Sequence, residues 1–552
     1  MAEISVNLNG VLRGTPFLIS INGSGAKRFM AHALTGKITY RNPVLPGFYP
    51  DPSAVRVGED YYMVTSTFEY FPGVPVFRSK DLVHWEQIGH VLTRESQVNL
   101  RSRNSSEGIY APTLRYNNGV FYMITTDVYG IGNFYVTATN PAGPWSDPIR
   151  IPYGNIDPSL FFDDDGKVYV SAQAGFGETS HIIQYEIDIL TGEALSEPVV
   201  VFEGDEGPWV EGPHLYKING LYYMMTASGG TGPMHREIIG RGTSPYGPFE
   251  MLPHPILTHN GLKDHPIQYT GHVELLDDVH GRWWALFLGV RPQGGKGSVL
   301  GRETFLAPVR WSEDGWPMID NNEGHAAMVM EGPAIRESKD SAAGLDNPVT
   351  TKFTSEGLGL EWMYNRVIPG QEELSLTERE GCLRLRGNAN GLRDGGAHVF
   401  VCRRQQHHRM SIETRLSFAP GREGEQAGIA ARLSDKSYYS VGITKKDGQT
   451  GILVTAMAQG SGMEAFTPIE EQVPVRLSIR SDGKEYELLY TLGGASAEWV
   501  SLGALPAEAL TPDADGAFTG VCLGMYAAGT EEGHSAPAYY DYFEYRPLAA
   551  NE

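Results

Sequence analysis

Three carboxylic acids each open one of a set of similar segments: Asp51 in DPSAVRVGEDYYMVTS, Asp157 in DPSLFFDDDGKVYVSA and Glu211 in EGPHLYKINGLYYMMTA. Brought to one place, such groups can do acid–base chemistry on a bond to oxygen. One carboxylic acid protonates the leaving oxygen while a carboxylate activates water or attacks carbon, provided their surroundings push their pKa values apart. Clustering supplies that push, because like charges raise one pKa and a third carboxyl can orient the acid. Glu211, with the longer arm, suits the acid, and Asp51 then activates water. Taken singly, an Asp-Pro dipeptide is a common turn and strand-opening signal, so either Asp alone reads as structural. Recurrence of the acid at the segment start is what favours function.

Two more segments complete the set: APTLRYNNGVFYMITT from Ala111 and GHVELLDDVHGRWWALFLG from Gly271. The five starts lie 60, 46, 54 and 60 residues apart. Each segment holds a short apolar strand, a hairpin signal (Asn117-Asn118-Gly119, Asp164-Asp165-Gly166, Asn219-Gly220 and similar) and an aromatic strand. That period fits one four-stranded blade per repeat, so the expected fold is all-β, with a five-bladed β-propeller over 38–335. A β-sandwich with chance turn spacing does not explain five matches in register. Equivalent positions of the blades converge on the axis, which brings Asp51, Ala111, Asp157 and Glu211 together with His272 beside the fifth. His272 is either a satisfied core histidine or a channel-facing group beside a metal or water. One imidazole without a clustered second ligand is not a zinc site, which leaves a hydrated, structural Ca²⁺ on the axis as the metal to look for.

Residues 1–37 read as a loosely ordered leader and 336–350, ESKDSAAGLDNP within it, as a linker. Beyond it MSIETRLSF, AGIAARLS, YYSVGIT, VRLSIRS and AYYDYFEYR alternate with period two, so 351–552 is expected to be an antiparallel β-sandwich. The chain has 552 residues, 41% hydrophobic and 20% charged, with 66 Gly and 35 Pro, which suits more than one domain of short strands and tight turns. A formal charge of −22 repels phosphate backbones and anionic membranes, so nucleic acid and membrane are not expected partners, whereas a neutral sugar is indifferent to it. Cys382, Cys402 and Cys522 match no metal or disulfide spacing and read as buried free thiols. No apolar run reaches membrane-span length and the first residues lack a secretory core, so the expected location is cytoplasmic.

YPDPS (49–53), STFEYFPGVPV (66–76), NIDPSLFFDDDGKVY (155–169), EGPHLYK (211–217), TGH (270–272) and LGRETFLAPV (300–309) together resemble glycoside hydrolase family 43, in its β-xylosidase and α-L-arabinofuranosidase branch. GLEWMYNRV and LSLTEREGCLRLRG are similar to that branch's second domain. The resemblance implies an inverting mechanism with Asp51 as general base, Glu211 as general acid and Asp157 as the residue that raises and orients the acid. It also implies Arg302 as a hydrogen-bond donor to the terminal sugar, Phe68 as an aromatic wall, and His272 as the axial histidine near a metal or water. Inversion calls for about 6.5–9.5 Å between base and acid carboxyls. Two positions depart from the pattern: Tyr110 where many relatives carry Trp, and Tyr70 where they carry Trp. Both are expected in a reshaped pocket wall, with Tyr110 among the substrate-binding residues.

The expectation is an exo-acting β-1,4-xylosidase releasing terminal xylose from xylo-oligosaccharides. The alternatives are an α-L-arabinofuranosidase, an enzyme with both activities, or a non-catalytic sugar-binding propeller. Water and carboxyl groups suffice, so no organic cofactor is required. The expected partner is a small xylo- or arabino-oligosaccharide; a homo-oligomer is compatible with the sequence.

Overall fold

The computed structural model describes residues 36–294, 297–319, 324–335, 346–469, 473–493, 497–531 and 533–549. The expected leader up to residue 35 and most of the expected linker lie outside these. Five antiparallel units, three of four strands and two of five, follow one another in sequence. Blade 1 is built from Ser53–Val57, Asp60–Val64, Gly73–Ser79 and Glu86–Leu92. Blades 2 to 5 begin with the innermost strands Thr113–Asn117, Ile156–Phe162, Glu211–Ile218 and Gln268–Asp277. The turn residues do what their types predict: Asn118 and Gly119 (φ 49° and 88°) and Asn219 and Gly220 (φ 51° and 83°) carry the left-handed backbone that a two-residue hairpin needs.

The ring closes on side chains and on a ribbon rather than on a shared blade. Ser53 Oγ donates to Glu274 Oε2 at 2.6 Å and Arg56 pairs with Asp277 at 2.7 Å, both between blades 1 and 5. Ahead of blade 1, Lys37–Arg41 pairs antiparallel with Val329–Pro333, and Leu45 exchanges backbone hydrogen bonds with Thr304 of blade 5. Tyr40, Val44 and Leu45 thereby enter the same core as the fully buried Trp284. Burying side chains of this size is worth about 1.5–3 kcal/mol each.

From Val349–Lys352 onward the chain forms two sheets face to face, one of eight strands and one of seven, with Leu385, Ile412, Leu477, Ile429, Val441 and Met525 buried between them. All three cysteines are buried and free. The two domains share a strand. Tyr70–Phe71, in a loop of blade 1, leaves the propeller and pairs with Met363–Asn365 as the edge of the second sheet. Behind it, buried Arg432 donates to Tyr70 Oη at 3.1 Å and stands 3.8 Å from Glu69 Oε1. Arg432 and Arg366 both pair with Asp435. Removing one member of such a buried set costs about 3–5 kcal/mol, because it strands the others without partners. The loop carrying Phe68 is therefore clamped from both domains.

Candidate active site

Backbone irregularity places the carboxylates. Strand pairing skips at the start of three innermost strands, between Ile156 and Ser159, Glu211 and His214, and Gly271 and Glu274. Within each skip one residue is left-handed: Asp157 (φ 52°), Gly212 (φ 58°) and His272 (φ 52°); Asp51 (φ 55°) matches them in blade 1. A bulge of this kind re-aims a side chain, and a non-glycine residue held there costs on the order of 1–3 kcal/mol. Asp51, Asp157, Gly212 and His272 are thus equivalent, and Glu211 stands one residue earlier, level with Ile156. The sequence expectation that put Glu211 at the same position as the two aspartates is corrected by that one residue. The reason is local: Gly212-Pro213 is the counterpart of Asp51-Pro52 and Asp157-Pro158. Gly212 has to lack a side chain, since a Cβ there would lie 2.9 Å from His272 Cε1.

Asp51, Phe68, Tyr110, Asp157, Glu211, His272 and Arg302 all line one cavity of about 780 Å³ at a mouth of the axis. Asp51 is buried, a position that by itself raises a carboxyl's pKa, but the Arg302 guanidinium and the Ser66 hydroxyl favour the ionised form and its pKa lies below the usual range. Arg302 Nη1 donates to Asp51 Oδ1 at 3.2 Å and Ser66 Oγ to Oδ2 at 2.5 Å. Burial pushes Glu211 up to about 7, with the charge of Asp51 adding and Arg302 opposing. Asp157 goes well above the usual range through burial and the neighbouring Glu211 and Asp51. Its Oδ2 accepts the backbone N–H of Gly212 at 3.2 Å, which ties it to the residue after Glu211. At neutral pH one cavity therefore holds an ionised Asp51, a protonated Asp157 and a Glu211 poised between its two forms.

Several residues of this site carried no local sequence signal. His235 donates from Nδ1 to the Gly230 carbonyl at 2.7 Å, and burial lowers its pKa to about 3, so it stays neutral beside Asp51. Phe518 arrives from the sandwich, with its ring 5.8 Å from both Phe68 and Tyr110. Its carbonyl accepts from Arg302 Nη2 at 3.3 Å. Phe518 thus lines the cavity beside Arg302, Phe68 and Tyr110. Tyr70 is not in the wall, contrary to expectation: it is fully buried in the interdomain strand, because its two-residue segment finds a sheet edge in the other domain.

Two family models match the chain: glycosyl hydrolases family 43 over residues 40–317 and the β-xylosidase C-terminal concanavalin A-like domain over 350–546. The chain belongs to glycoside hydrolase family 43. It is 41% identical over 529 residues to the non-reducing end α-L-arabinofuranosidase BoGH43B of Bacteroides ovatus, covering 94% of this chain and 97% of that one. The β-xylosidase of Bacillus subtilis is 33% identical, with 92% and 99% covered. Among solved structures, the xylan β-1,4-xylosidase of Bacillus halodurans superposes with a TM-score of 0.85 at 33% identity, covering 92% of this chain and 100% of that one.

In this family 43 chain the donor set around His272 does not fit a protein-bound Ca²⁺. Such a cation takes about six to eight oxygen ligands. Among the described residues no three His, Cys, Asp or Glu side chains come together as metal ligands. His272 Nδ1 faces Asp51 Oδ1 at 3.7 Å, and burial lowers its pKa, so it is a neutral neighbour of the carboxylate. The backbone of His272 is held from blade 4. Glu237 is fully buried and accepts the Val273 N–H on Oε2 at 3.1 Å, and burial pushes its pKa well above the usual range. A neutral acid in that place is closely imitated by glutamine. Glu237→Gln is expected to keep kcat/KM within about twofold, whereas Glu237→Leu, which frees the bulge under His272, lowers it roughly 10- to 100-fold, the scale of a small misplacement in an active site. Steady-state kinetics on the two purified variants check this; equal losses would remove the neutral-acid argument.

Proposed function

We propose that this enzyme is an exo-acting, inverting β-1,4-xylosidase that removes terminal xylose from xylo-oligosaccharides. The observation that supports the exo reading is that Phe518 of the sandwich packs against Phe68, Tyr110 and Arg302, so the second domain stands at the edge of the cavity beside the arginine that meets the terminal sugar. Relatives named as β-xylosidases support the choice of sugar. In this reading the ionised Asp51 takes a proton from a water that attacks the anomeric carbon. Glu211, neutral below about 7, gives its proton to the departing oxygen as that bond breaks. Asp157 stays protonated and fixes the backbone beside Glu211 through the Gly212 N–H. Arg302 holds Asp51 and donates to the terminal sugar. After release Asp51 carries the extra proton and Glu211 lacks one, and exchange with solvent restores both.

The pH dependence follows with a definite sign. Glu211 has to be protonated, so kcat/KM falls as pH rises through about 7. Asp51 has to be ionised, so activity is lost on the acid side only below its ordinary range of about 3.8, because its pKa is held down. A profile of kcat/KM between pH 3 and 9 checks both limbs.

A second reading, α-L-arabinofuranosidase activity at the same site, is favoured by the 41% identical Bacteroides ovatus relative and by the smaller Tyr110 in the wall. The deciding experiment is the ratio of kcat/KM on para-nitrophenyl β-D-xylopyranoside to that on the α-L-arabinofuranoside. A ratio well above one supports the xylosidase; a ratio well below one replaces it with the second reading.

A further inference from the structure

Phe68, Tyr110 and Phe518 pack on one another beside Arg302, and one short loop leading into blade 2 touches all three. Phe68 exchanges backbone hydrogen bonds with Ile109, 2.8 Å from its N–H and 3.1 Å to its carbonyl, and Tyr110 follows directly. Gly108 (φ 92°) permits that approach, since a Cβ there would lie 2.6 Å from the Phe68 carbonyl oxygen. The third ring is reached through a side chain. Ser106 Oγ accepts the Phe518 N–H at 2.9 Å.

The loop is built to hold this serine in place. Ser106 has a left-handed backbone (φ 67°), which a non-glycine residue adopts at a cost and which clusters at functional sites. Its N–H donates to Glu69 Oε2 at 2.9 Å, and Glu69 is fully buried next to Phe68 in sequence. The adjacent serine has another task. Ser105 Oγ accepts the Asp435 N–H at 3.0 Å and Arg432 Nη2 at 3.3 Å, and so joins the ionic clamp between the domains. That clamp and the Tyr70–Phe71 strand hold the sandwich on the propeller without the Ser106 hydroxyl. Ser106 instead meets the one described residue of the sandwich that lines the cavity.

Phe518 is thereby fixed on both sides of its Cα. Its N–H is held by Ser106 and its carbonyl by Arg302 Nη2 at 3.3 Å. With both groups held, the direction of the Cα–Cβ bond is set, and the ring follows it. We propose that Ser106 is a positioning residue for the terminal-sugar site, seating the Phe518 ring against Phe68 and Tyr110 from the propeller side. This rests on the reading that places the terminal sugar beside Arg302. Loss of the hydroxyl then weakens sugar binding and leaves the proton transfers of Asp51 and Glu211 intact.

The test is a double-mutant cycle between Ser106→Gly and Phe518→Ala, read on whichever of the para-nitrophenyl β-D-xyloside and α-L-arabinofuranoside the wild type turns over faster. Glycine takes the left-handed backbone without strain, so Ser106→Gly removes the hydroxyl and keeps the loop. It should raise KM about three- to tenfold, the effect of one hydrogen bond, with kcat within about twofold. In the Phe518→Ala background the same change should alter KM less than about twofold, because no ring is left to seat. A KM for Ser106→Gly within twofold of wild type overturns the proposal. So does an equal rise in both backgrounds, which would make the serine a merely structural residue. A wild type that hydrolyses neither glycoside removes the reading of the site, and the positioning role with it.

Discussion

Glu211→Ala is expected to lower kcat on xylobiose by about 10³- to 10⁴-fold, the upper part of the range for a general acid. The loss is so large because a sugar alkoxide is a poor leaving group and cannot depart at neutral pH without a proton. In this account the proton comes from Glu211, while Asp157 is held through its Oδ2 by the Gly212 N–H in the orienting role. An aryl xyloside with a strongly acidic phenol leaves without help, so 2,4-dinitrophenyl β-D-xyloside should lose only about tenfold. The alkaline limb near 7 should vanish at the same time, since the group that titrates there is gone. Measuring both substrates across pH checks all of this. Equal losses on the two substrates would assign Glu211 to structure and not to proton donation.

Asp51→Asn is expected to give the opposite pattern, a loss of about 10⁴-fold on every leaving group, the dinitrophenyl compound included. The base acts on water, and no quality of leaving group replaces a nucleophile that is never activated. The side-chain amide keeps an oxygen for Arg302, now at 3.2 Å from Oδ1, but removes the negative charge and leaves a buried guanidinium without its carboxylate. Part of the damage should therefore be seen as weaker substrate binding, because Arg302 loses the partner that fixes it. Retention of near-normal turnover on the activated substrate would exclude Asp51 as the base. The two variants together separate the roles, since one is rescued by a good leaving group and the other is not.

Much of this site was legible in the sequence. Five repeated segments with hairpin turns at matching offsets specify a propeller, and a propeller requires equivalent positions to meet at its axis. That logic brought Asp51, Asp157 and Glu211 into one cavity without any contact being visible. It missed by one residue at Glu211 because acids were aligned with acids, whereas the residue-Pro dipeptide marks the bulge. Gly212-Pro213 is the true counterpart of Asp51-Pro52, and the glycine there is dictated by the His272 ring above it. Phe518 lay beyond sequence reasoning for a different reason. It precedes an ordinary buried strand, Cys522–Ala528, and acquires its role only when the sandwich docks on the propeller. Tyr70 failed for the same cause in reverse, because a two-residue strand has no pattern of its own and its hydrogen-bonding partner, Asn365, is in the other domain. His235 and Ser106 are single residues on loops, where composition carries no periodic signal and position comes from the scaffold.

The split in protonation is a consequence of the fold and not of the residue types. Asp51 and Asp157 are the same residue at equivalent bulges, yet one is held ionised and the other neutral. The difference is that Asp51 faces Arg302 and Ser66, while Asp157 faces Glu211 and one backbone N–H. A retaining enzyme would use the ionised carboxylate on carbon itself; here it is assigned to water, and that is the claim most open to direct test.

Proton NMR of the first minutes of xylotriose hydrolysis tests it most directly. The account predicts α-xylose and xylobiose as the first products, with the β-anomer of xylose appearing only as the sugar mutarotates. Initial release of β-xylose would require a covalent glycosyl-enzyme and would contradict the role given to Asp51.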